Sequence, residues 1–138
     1  MSAIKKEGKK IDLGFVSIEL IRLNIVCITT LTEEEVSLEN GIKIIEEIKG
    51  LVGQTPHATI LNFGDLFSPS KEFFKFIVSQ RSVEKDHIVA RAMVSSNMAR
   101  RIEAQNFINF FKPLTPTKLF STVDEAIAWI EPQLKEVI

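Results

Sequence analysis

The chain has 138 residues, 45% of them hydrophobic, with 17 basic and 18 acidic side chains and a formal net charge of −1. A length near the middle of the single-domain range, with ordinary apolar content, excludes a fibrous or disordered chain and predicts one domain around one core. The balanced charge excludes general electrostatic attraction to nucleic acid or to an anionic membrane; the lone cysteine, Cys27, excludes an intramolecular disulfide and fits a reducing, cytoplasmic setting.

In chain order, residues 1–11 are lysine-rich and polar and read as a flexible tail ahead of a single domain over 12–138. Ser17, Glu19, Arg22 and Asn24 interrupt the next apolar stretch, so no export signal is expected. No window approaches the roughly 20 apolar residues that cross a bilayer. Residues 15–21 alternate Val16, Ile18 and Leu20 with Ser17 and Glu19, the period of a half-buried strand. Residues 24–31 are more uniformly apolar and β-branched, as in a strand covered on both faces, and the pair predicts an antiparallel hairpin turning at 22–24.

Thr32 and Glu35 have the spacing of a capping box, which places a helix start there. Leu38, Gly41, Ile42, Ile45 and Ile48 form its apolar stripe, and Gly50 or Gly53 its stop. Residues 58–63 read as a strand ending at Gly64, and Ser68 before Pro69 opens a helix to about residue 81. A strand over 88–94, a helix over 97–111 and a short strand over 118–120 follow, with Pro113 and Pro116 between the last two. Thr122 and Glu125 make a second capping box, opening a helix that lines up Val123, Ala126, Ile127, Ile130 and Leu134. The result is an α/β fold: a single mixed five-stranded sheet with four helices, parallel in its later part because strands alternate with helices.

Chemistry-bearing residues are few. His57 and His87 are the only histidines, without ligand spacing, and read as solvated loop residues; no metal and no cofactor is expected. Cys27 lies inside the most apolar strand and reads as inert core. No glycine-rich phosphate loop occurs. The loop with Asp65, Ser68 and Ser70 leaves a strand and enters a helix N-terminus, which suits an anion or a phosphorylated hydroxyl; the plainer reading is that Asp65 and Ser68 are caps. Arg91 interrupts an apolar strand and, with Arg100 and Arg101, marks a small positive locus for an acidic head group; the plainer reading is a solvated sheet face. Phe107, Phe110 and Phe111 share one helix, and Phe110 and Trp129 fall off the main stripes, which leaves apolar surface for a partner subunit or an acyl chain.

Residues 88–94, the Asn-Phe-Ile-Asn-Phe-Phe-Lys-Pro run ending at Pro113, residues 117–120 and residues 124–130 with Glu125-Ala126 and Trp129 together resemble the SpoIIAA-like group of the STAS and CRAL-TRIO-like domains. The resemblance covers most of residues 15–131 and implies that group's order of elements in a small bacterial cytoplasmic domain. In its anti-sigma antagonists a serine at a helix start is phosphorylated, and by element order Ser68 or Ser70 stands there, although Phe67-Ser68-Pro69-Ser70-Lys71 replaces the group's Asp-Ser-Ser-Gly pattern.

The expected function is a non-enzymatic binding or regulatory module that recognises an unknown protein partner or a second copy of itself. The alternatives are a domain for a small lipid or apolar molecule and, third, an enzyme whose cleft would join Asp65, a histidine and Arg91.

Overall fold

The computed structural model describes residues 8–22, 24–32, 37–64 and 87–137. Six strands form one sheet in sequence order: β1 (Lys10–Asp12), β2 (Val16–Arg22), β3 (Ile25–Thr30), β4 (His57–Asn62), β5 (Ile88–Val94) and β6 (Thr117–Phe120). The first two pairings are antiparallel and the remaining three parallel. Three helices stand among the described residues: α1 (Leu38–Val52), α2 (Met98–Phe111) and α3 (Val123–Val137).

The hairpin forms because Val16, Ile18 and Leu20 bury on one face while Asn24 takes the left-handed turn conformation, φ 67°, that asparagine tolerates better than most residues. From β3 onward each added strand lies on the same side of its predecessor. Right-handed crossovers then place α1 and α2 on one face of the sheet. There Ile44, Ile48, Leu51 and Val52 of α1 and Ala104 of α2 pack on Val26, Ile28, Leu61 and Met93. The opposite face holds α3, whose Ala126, Ile127, Ile130 and Leu134 pack on Ile25, Ile60, Ala90 and Ala92. Each large aliphatic side chain buried this way contributes about 2 kcal/mol.

Between β4 and β5 the register slips. His57 pairs with Ile88 but Ala58 pairs with Ala90, which leaves Val89 as one extra residue on β5.

The mixed α/β class agrees with the sequence reading, and three details differ. The sheet has a sixth strand, because Lys10–Asp12 pairs with β2 through its backbone although two of its three side chains are exposed. The first helix begins at Leu38, capped by Ser37, whose Oγ accepts from the Asn40 N–H at 3.1 Å; Glu35 of the expected capping box lies outside the described residues. Its buried stripe is Gly41, Ile44, Ile48, Leu51 and Val52; of the expected stripe Gly41 and Ile48 are buried and Ile45 is half-buried, while Leu38 and Ile42 are exposed. Gly53 ends that helix, and the second capping box forms as the sequence predicts, with Glu125 N–H donating to Thr122 Oγ1 at 3.2 Å and Thr122 N–H to Glu125 Oε1 at 3.1 Å. The helix expected from Ser68 to residue 81 lies outside the described residues.

Candidate functional site

On the face shared by α1 and α2, a cavity of about 380 Å³ opens toward the amino ends of β4 and β5. Ile44, Ile45, Ile48 and Val52 of α1 form one wall, and Ile28, Leu61 and Ile88 of the sheet the other. Four polar side chains from the two strands enter it: His57 and Thr59 from β4, Arg91 from β5, and His87 just before β5. Lys49 and Gln54 complete the lining from α1 and the turn after it. No aspartate or glutamate stands among the described residues that line it.

His57 is only 3% exposed. Its Nδ1 lies 2.9 Å from the Thr55 carbonyl oxygen. A carbonyl can only accept, so Nδ1 carries the proton and, in the neutral ring, Nε2 presents a lone pair. Burial holds the His57 pKa below 6.5; the Thr55 carbonyl opposes that shift, and His87 and Arg91 add to it. The ring is therefore neutral at pH 7, and its buried Nε2 has no hydrogen-bond partner. Two residues along the same strand face, Thr59 Oγ1 is likewise buried and without a partner. Thr59 is the cross-strand neighbour of Arg91, which is 4% exposed. The cavity thus joins a bare acceptor, a free hydroxyl and positive potential to apolar walls.

The two ends of the sheet treat polar groups differently. At the carboxyl ends of the parallel strands, Thr30 Oγ1 donates to the Phe63 carbonyl at 2.9 Å and Ser95 Oγ to the Gly64 carbonyl at 2.7 Å. Ser95 Oγ also accepts from Asn97 N–H at 3.1 Å, and Arg101 donates to the Ser95 carbonyl at 3.2 Å and to Ser121 Oγ at 2.9 Å. At the amino ends, the Asn24 amide and Thr115 Oγ1 join His57 and Thr59 as buried groups without partners.

These positions correct the sequence reading. His57 is buried because parallel pairing closes β4 on both sides, and the β4–β5 register brings His87, distant in sequence, to the same cavity. Arg91 is buried rather than solvated, since β5 is an interior strand, and it lies toward the amino end while Arg101 is engaged at the carboxyl end. Asp65, Ser68 and Ser70 lie outside the described residues. Phe107 and Phe111 are half-buried and stacked at 5.6 Å, whereas Phe110 is 79% exposed; Trp129 packs on Phe120 at 5.4 Å. Cys27 points to the α3 face, away from the cavity, where burial pushes its thiol pKa up from 9.0. Sequence periodicity could flag Thr59 and Arg91 as polar breaks in apolar strands; only the strand pairing shows that they meet.

Residues 20–134 match the family model described as a domain of unknown function, DUF7793. The chain belongs to that family. The matched stretch takes in every cavity residue named above, so the DUF7793 unit carries the whole site. No curated protein and no solved structure matches the chain. Among the described residues, no helix is long and apolar enough to cross a membrane and no group of three or more His, Cys, Asp or Glu stands together as a metal site would require.

Proposed function

We propose that this domain binds a small, largely apolar molecule in the cavity between α1 and the sheet. The observation that carries the reading is the pair of buried, unpartnered atoms, His57 Nε2 and Thr59 Oγ1, set among aliphatic walls. Leaving a buried polar group unsatisfied costs about 1–3 kcal/mol, a penalty a ligand would relieve. A volume of about 380 Å³ falls in the usual range for ligand sites, and few polar groups in an apolar lining is their usual composition. Binding is favoured over turnover because Thr59 and His57 share no hydrogen bond and Cys27 faces away. The antiparallel hairpin leading into parallel strands, with helices after the third, fifth and sixth strands, supports kinship with the SpoIIAA-like group as part of this proposal.

The test is calorimetric titration of the full chain with medium-chain acids, alcohols and amines. At least one class is expected to bind, and Ile45→Trp, which fills the cavity from a half-buried position, is expected to abolish that binding with an unchanged circular dichroism spectrum. If no class binds the wild type, the reading is wrong.

A second reading, self-association through α2, is favoured by its outer face. Met98, Ile102, Gln105, Asn106, Asn109 and Phe110 are all exposed and all uncharged. A two-fold contact sets a surface against itself, so a face free of like charge suits a second copy of the chain. Sedimentation should show a concentration-dependent dimer that Phe110→Ser abolishes; a wild-type monomer at high concentration removes this reading.

A further inference from the structure

Building on the small-molecule reading, we infer that the ligand is a monocarboxylic acid with an apolar body, taken up with one proton held between its carboxyl group and His57 Nε2. Every described ionisable group lining the cavity is basic: Lys49 on α1, His57 on β4, and His87 and Arg91 at β5. That selects against a medium-chain amine, which would meet like charge, and favours an anion. A phosphate monoester carries about two charges, whose removal from water beside these aliphatic walls costs more than that of one. A carboxylate brings one charge and two oxygens.

The proton follows from the tautomer. With Nδ1 bound to the Thr55 carbonyl, Nε2 is an acceptor, and a carboxylate oxygen facing it would set lone pair against lone pair. One proton removes the conflict. It comes from solvent, sits between the carboxyl oxygen and Nε2, and leaves the complex with the same proton count whether written as acid with imidazole or carboxylate with imidazolium. The second carboxyl oxygen accepts from Thr59 Oγ1. The two residues lie on one strand face with Cα atoms roughly 7 Å apart, a span a carboxyl group bridges. Lys49 of α1 and Arg91 of β5 line the same cavity and bring positive charge to it, with His87 beside them. An alcohol would also satisfy His57 and Thr59 but brings no negative charge to this basic lining.

Calorimetry with octanoate and octan-1-ol, each in two buffers of different ionisation enthalpy at pH 7.5, tests the assignment. Octanoate is expected to bind with uptake of close to one proton and to weaken about tenfold from pH 7 to pH 8, as one-proton linkage requires. Octan-1-ol is expected to bind more weakly, with no uptake and no pH dependence. His57→Gln should remove the uptake, whereas Ser121→Ala, at the exposed contact to Arg101 away from the cavity, should leave it in place. Octanoate binding without proton uptake, octan-1-ol binding as tightly as octanoate at pH 7, or uptake that survives His57→Gln each overturns the inference while the apolar-ligand reading stands. Failure of every probe to bind the wild type falls on that underlying reading instead.

Discussion

The carboxyl end of the parallel strands and their amino end are built from the same kinds of residue and finished differently. Ser95 and Thr30 at one end, Thr59 and His57 at the other, are all buried polar side chains. The first pair donates to backbone carbonyls at 2.7 and 2.9 Å, whereas Thr59 Oγ1 and His57 Nε2 have no partner. A satisfied hydroxyl is a structural joint; buried hydrogen-bonding capacity left unused beside an apolar cavity is where affinity for something else resides. In open parallel sheets ligands commonly lie at the carboxyl ends of strands. Here the cavity is at the other end, and the difference in polar satisfaction, rather than topology, locates it.

Substitutions at the two ends should move stability in opposite directions. The largest effect is expected for Ser95→Ala, which leaves the Gly64 carbonyl and the Asn97 N–H without their partner and should lower unfolding free energy by about 2 kcal/mol in a denaturant titration. A loss below about 0.5 kcal/mol, the scale of an ordinary surface change, would dissolve the contrast. Next comes acid sensitivity. The folded pKa of His57 is depressed, so below pH 6.5 the unfolded ring takes a proton that the folded ring refuses. Stability from this residue is complete above pH 6.5 and declines as pH falls toward the folded value, by up to about 1.4 kcal/mol per unit. His57→Gln should flatten that portion of the pH–stability curve. The smallest effect runs the other way: Thr59→Val removes a buried hydroxyl without a partner and should raise stability by about 1 kcal/mol while weakening octanoate binding. If Thr59→Val destabilises the ligand-free chain, the hydroxyl has a structural role and the two ends do not differ.

How much of this was legible depends on whether the deciding interaction is local. The strand over 88–94 matched its observed bounds, and the stripe Ala126, Ile127, Ile130, Leu134 is the one the sequence predicts, because periodicity and capping act within one turn or one strand. Lys10–Asp12 escaped notice because exposed, charged side chains carry no alternation signal; its order comes from backbone pairing with a strand that follows it. The α1 stripe is legible in part: Gly41 and Ile48 bury as the spacing predicts, but Leu38 and Ile42 fit a helical period nearly as well as Ile44 and Leu51 do, and only packing against the sheet chooses between them. The site was least legible. His57 and Arg91 each look ordinary in isolation, and a loop histidine and a strand arginine become one polar cluster only through the parallel register of β4 and β5.

The extra residue at Val89 also sets what the cavity floor is made of. In an unbroken strand Ile88, Ala90 and Ala92 would share one face, yet Ala90 and Ala92 lie against α3 while Ile88 lines the cavity with Arg91, three positions on. Losing Val89 would set Ile88 directly before Ala90 and keep it on the cavity face, whereas regular pairing with Val89 retained would turn Ile88 toward α3. The cavity is therefore specified partly by backbone register: a change that removed the bulge while keeping Val89 would take Ile88 out of the lining without exchanging any residue there.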